Sequence, residues 1–179
     1  RYSGDWSSDV CSSDLKVLPV EKKVARDEII KQLSAAMTLK GDAAKGRVIY
    51  TERCVSCHRA EGQGFQLGPD FVTVKTAGRE KLLTSLIDPN KEIAPQYLAF
   101  NVETKDGESY TGLIARDDAT GVTVHQAFGK EDVIPRAKVK SMRSPGQSLM
   151  PEDLQAGLTP QQVADLFEFI ENLKRSEEH

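Results

Sequence analysis

Five consecutive residues, Cys54-Val55-Ser56-Cys57-His58, concentrate the chemistry available to this chain. Two thiols three positions apart, followed at once by an imidazole, meet the requirements of covalent c-type haem attachment. The cysteines form thioethers with the two haem vinyl groups, and the adjacent histidine meets the iron from the proximal side. A C-x-x-C pair alone is less specific, because redox dithiols and half zinc sites share it. A zinc site here would recruit Cys54, Cys57, His58 and His125. An iron held by His58 on one side also needs a ligand on the other. Met37 precedes the motif, Met142 lies in strand-like sequence, and His125 alternates with Val122 and Val124 on an expected strand. Met150, in Ser148-Leu149-Met150-Pro151, sits in a stiff loop, and a thioether is a soft donor that raises the potential. Met150 is therefore the expected ligand, with His125 or an open position as its rivals. An open or labile position would make this a haem-based sensing or peroxidatic domain. No Ser/His/Asp set, carboxylate pair or phosphate loop competes.

The two ends read differently from the rest. Residues 1–15 and 175–179 resemble translated sequencing adapter, the rival being a genuine Ser/Asp-rich tail, and they are set aside from fold reasoning. Doing so takes two basic residues from 24 and five acidic ones from 27, so the two signs balance at 22 each and the net charge of -3 disappears. A near-neutral domain offers no basic patch for nucleic acid. Cys11 goes with the tail, which leaves both remaining cysteines in the haem motif and none for a disulfide. No apolar run approaches the ~18–20 residues of a membrane span. Haem attachment to this motif takes place outside the bacterial cytoplasm, so the expected location is periplasmic or otherwise exported.

Several elements must position these residues. Glu21 to Thr38 carries Val24, Ile29, Ile30, Leu33, Ala36 and Met37 near helical spacing, within a linker segment assigned to residues 16–40. Asp42 is a plausible N-cap for a second helix, Ala43 to about Cys54, which delivers the first cysteine. The glycine-rich stretch from Arg59 to Asp70 cannot be regular structure and lies where backbone must pass close to a flat ligand. Lys81 to Ile87 is a short helix that Asp88-Pro89-Asn90 ends. The period then changes: Tyr97 to Thr104, the turn signal Asp106-Gly107 and Tyr110 to Ala115 predict a hairpin with a two-residue loop. Gly121 to Ala127, Val133-Ile134 and Lys138 to Met142 suggest further strands, giving a β insertion over about residues 96–143. Thr159-Pro160 opens a final helix, Gln161 to Leu173.

A helix running straight into C-x-x-C-H, and a Met-Pro loop shortly before a terminal helix, resemble a class I cytochrome c. Leu67-Gly68-Pro69 is similar to the loop whose proline carbonyl, in that family, accepts the proximal histidine Nδ1–H and raises its basicity. In that family the last helix packs across the first, so Tyr50 and Phe167 or Phe169 are expected to meet. The succession C-x-x-C-H, L-G-P, D-P-N, Tyr97, Lys105-Asp106-Gly107 with Gly112, and Ser148-x-Met150-Pro151 more closely resembles the haem-binding (PVC-type C-x-x-C-H) domain at the C-terminus of large bacterial membrane-bound dehydrogenase-like proteins. The expected fold is α+β: a mainly α cytochrome c fold over residues 41–174 around one haem, with a small antiparallel β insertion between the third helix and the Met150 loop. The resemblance implies one covalent haem c held by Cys54, Cys57, His58, Leu67, Gly68, Pro69 and Met150. It implies electron transfer rather than an enzyme in its own right, with redox proteins or a dehydrogenase module in cis as partners.

Overall fold

The computed structural model of the protein describes residues 20–174, so both adapter-like ends lie outside the described residues. Helix α2 (Ala43–Arg53) begins where Asp42 satisfies its orphan amides, accepting from the N–H groups of Ala44 and Lys45. Helix α5 (Pro160–Glu171) begins with a capping box in which Thr159 and Gln162 exchange side-chain and backbone hydrogen bonds, with Pro160 in its first turn. The Asp42 N–H donates to the Asp165 carboxylate of α5 at 2.8 Å, tying the start of one helix to the flank of the other. They cross so closely at Gly46 that a Cβ there would stand 2.0 Å from the Asp165 carbonyl oxygen. The crossing buries Ile49 and Tyr50 with Leu166, Phe169 and Ile170, and the Tyr50 and Phe169 rings lie 5.3 Å apart. Phe167 points elsewhere, and Val48 faces solvent.

Phe167, Val163 and Ala164 form the other face of α5. They pack with Leu83, Leu86 and Ile87 of helix α4 (Arg79–Ile87) and with Leu33 and Ala36. Leu33 ends helix α1 (Val20–Leu33), and Ala36 lies in the 3-10 turn Ser34–Met37 that follows it. The segment assigned to a linker thus contributes two buried residues to this core. Arg79 fastens the layer: its guanidinium donates to the Leu39 carbonyl at 2.7 Å and pairs with Glu168 and Glu171. Between α2 and α4 lies helix α3 (Phe71–Val74), a single turn capped by Asp70 and absent from the sequence expectation.

The remaining elements are five strands: β1 (Phe100–Thr104), β2 (Ser109–Asp117), β3 (Gly121–His125), β4 (Glu131–Pro135) and β5 (Val139–Arg143). All pairs are antiparallel, in the order β4-β3-β2-β1-β5. Here the expectation of a mainly α fold with a small β insertion fails. The sheet has a core of its own, in which Val102, Val122, Val124 and Ile134 are buried and Tyr110, Ile114, Val139 and Met142 pack against them. Alternating strand residues that bury their own apolar face form a layer, not an ornament on a helical body. The fold is α+β, with a helical layer and a five-stranded sheet side by side. The first hairpin differs too. Thr104 N–H donates to the Glu108 carbonyl at 2.9 Å, so the loop holds three residues and closes with Gly107 at φ +92°, the geometry of a type I turn followed by a left-handed residue.

The α2–α5 crossing yields a direct test. Gly46→Ala places its methyl group against helix backbone that cannot rotate away, and overpacking of this kind costs ~1–3 kcal/mol. Urea unfolding should show a lower midpoint with an unchanged slope.

Candidate haem site

The end of α2 shapes the motif. Cys54 N–H donates to the Tyr50 carbonyl at 2.8 Å, and His58 N–H donates back to the Cys54 carbonyl at 2.8 Å, so the five residues form one tight turn. The Tyr50 hydroxyl lies 2.9 Å from the His58 carbonyl and 3.0 Å from that of Gln63, closing the turn from beneath. The glycine-rich stretch then folds back: Leu67 and Gly68 both donate to the Cys57 carbonyl, at 2.9 and 2.7 Å. This brings the Pro69 carbonyl 2.8 Å from His58 Nδ1. Because a carbonyl only accepts, the proton sits on Nδ1 and the lone pair on Nε2. Burial holds the imidazole below its ordinary pKa, partly offset by the Pro69 hydrogen bond, so the ring is a neutral donor at pH 7.

Gly68 lies flat against that ring, where a Cβ would be 2.4 Å from His58 Cε1. Phe71, from the turn α3, supports the imidazole with its ring centroid 4.8 Å away. Local pattern gave no sign of this contact, since it depends on the fold-back of the loop between the two residues. Burial pushes the Cys54 thiol up to about 12, so without a bound partner it is protonated at neutral pH.

Cys54, Cys57, His58, Pro69 and Met150 line a single cleft of about 440 Å³, walled by Phe71, Leu82, Leu86, Phe167 and Ile170. Leu67 and Gly68 lie beside it, in a smaller cavity of about 40 Å³ that also touches Cys57 and Met150. The Met150 loop is held from several sides. Arg53 donates to the Leu154 and Ala156 carbonyls at 2.6 and 2.9 Å, and Met150 N–H donates to Ser148 Oγ at 3.1 Å. The sheet also reaches the cleft. Phe128, in the β3–β4 connection, donates its N–H to the Ser56 carbonyl at 2.8 Å, and neighbouring Ala127 lines the cleft wall. His125 is not among the residues that line the cleft, and it pairs with Glu131 at 2.7 Å. Among the described residues no group of three or more His, Cys, Asp or Glu side chains converges as a metal cage would, so the zinc arrangement lacks its ligands.

Two thiols, an imidazole nitrogen with a free lone pair and a thioether face one apolar cleft, and this donor set fits a covalently bound haem. A family model for cytochrome c matches residues 43–174. The chain belongs to the cytochrome c family. Among curated proteins none matches it. A cytochrome c domain carries covalently bound haem c, transfers electrons through it and works with redox partners. No helix among the described residues is long and apolar enough to cross a membrane.

The close approach of Gly68 to His58 separates steric from general effects. In the haem-loaded protein, Gly68→Ala should push the imidazole off the Pro69 carbonyl and lower the low-spin fraction in the absorption spectrum. Gly62→Ala, where a Cβ meets nothing within 4 Å, should cost some stability through its φ of +77° and leave the spectrum unchanged.

Proposed function

We propose that this domain is an electron carrier rather than an enzyme in its own right, with Cys54 and Cys57 as haem anchors and His58 and Met150 as axial ligands. The observation that supports this reading is that His58 and Met150 line the same apolar cleft as both cysteines. Haem bound there supplies a one-electron Fe(III)/Fe(II) couple. The residues of the chain set its character. The Pro69 carbonyl fixes the tautomer of His58 and raises its basicity, the Met150 thioether favours the reduced state, and the apolar walls keep water from the ring. If His58 and Met150 both held the haem iron, no position would stay open for a substrate or for O₂. The domain serves as the electron-accepting module of a larger exported oxidoreductase, receiving electrons from a dehydrogenase module in cis and passing them to a separate redox protein. Its resemblance to the haem domains of large bacterial dehydrogenase-like proteins supports this role, and the exported habit of cytochrome c domains supports a periplasmic site.

Oxidised and reduced absorption spectra of the protein matured with haem test the assignment. Sharp low-spin reduced bands are expected, with a weak far-red band in the oxidised state that Met150→Ala abolishes and His125→Ala leaves intact. A high-spin spectrum indifferent to Met150→Ala would overturn the axial assignment in favour of a sensing or peroxidatic domain.

A further inference from the structure

We infer that Asn90 is the positioning residue for Met150, an inference that rests on the axial-ligand reading above. Its carboxamide grips the Met150 loop on both flanks. Oδ1 accepts from Ser148 N–H at 2.8 Å, and Nδ2 donates to Glu152 Oε1 at 2.6 Å. These are the positions two before and two after Met150. Ser148 relays the grip inward, because its hydroxyl accepts from Met150 N–H. Glu152 is braced from behind by Arg26 of α1 at 2.7 Å, and the same guanidinium reaches Asp88 at 3.2 Å. The clamp therefore runs from α1 through the Asp88-Pro89-Asn90 turn to the loop.

The loop needs such a device. Residues 144–159 form neither helix nor strand. Their backbone pairing with the Leu98–Ala99 segment, through the Leu98–Ser148 bridge and the Ala99 N–H to Gln147 carbonyl bond, lies N-terminal to Met150. A carboxamide is suited to the post because it offers an acceptor to Ser148 and a donor to a carboxylate from one short side chain. Aspartate keeps the acceptor, loses the donor and sets like charge against Glu152.

The test uses the haem-loaded protein and imidazole, which competes with Met150 for the ferric iron. Asn90→Ala should raise the apparent imidazole affinity about tenfold, equivalent to ~1.4 kcal/mol of lost Met150 ligation, and weaken the far-red band. Met150→Ala sets the upper limit. Asn90→Asp should act like Asn90→Ala. Adding Glu152→Gln to Asn90→Asp reverses donor and acceptor across the same contact and should bring the affinity back to near that of the unmodified protein, a rescue that a general loss of stability would not produce. The inference is overturned if Met150→Ala raises imidazole affinity while Asn90→Ala leaves it within about twofold, or if the paired exchange restores nothing. If Met150→Ala itself leaves imidazole affinity unchanged, the axial reading falls and takes this inference with it. The pair of single variants tells the two failures apart.

Discussion

The hydrogen bond from His58 Nδ1 to the Pro69 carbonyl is the constraint on which the rest of the site depends. An imidazole free to rotate or to exchange tautomers would present a lone pair in no fixed direction. Several features of the chain converge on holding it still. The Cys57 carbonyl collects two amides and brings the following loop close. Gly68 allows that loop to touch the ring, and the Phe71 ring packs against it at 4.8 Å. Tyr50 fastens the backbone of His58 itself. The cost of burying these polar groups is met locally, since each carbonyl involved has a donor.

Helix α5 makes this arrangement possible by serving two cores at once. One face carries Leu166, Phe169 and Ile170 to α2, and the other carries Val163, Ala164 and Phe167 to α4 and the end of α1. The cleft opens where the two cores adjoin, which is why residues from both line it. Such a helix has little polar surface left to spend. Its buried acid, Asp165, is satisfied by the Asp42 amide and the Gln161 side chain, so that even its polar group serves the crossing.

Much of this was legible in local sequence. Asp42 and Thr159-Pro160 announced their helices because capping is a bargain between neighbours in the chain. The alternation of Val122 and Val124 announced a strand for the same reason. The standing of the sheet was not legible. Alternation states which residues share a face, and it does not state that five strands close on one another to bury that face. At the site, the spacing of Cys54, Cys57 and His58 spoke for itself, since haem attachment is a local requirement. The support of His58 by Phe71 and the reach of Asn90 to Ser148 and Glu152 arise only when distant segments meet. In sequence Asn90 is legible as the end of a helix and as part of the D-P-N of the family resemblance, with nothing to tie it to the Met150 loop.

The pairing of Ala99 with Gln147 has an entropic meaning as well as a geometric one. The sheet leaves the helical layer and returns to it at adjacent points. Once it has folded on its own core, the chain between those points behaves as a short connection, whatever its contour length. The Met150 loop then closes onto His58 as though the intervening strands were a turn. The β3–β4 connection is tied to the site, since Phe128 holds the Ser56 carbonyl and Ala127 lines the cleft. Apart from it, an excursion of this kind can be lengthened, trimmed or redecorated without moving the ends that meet at Ala99 and Gln147, which makes its far edges the part of this fold freest to acquire new surface.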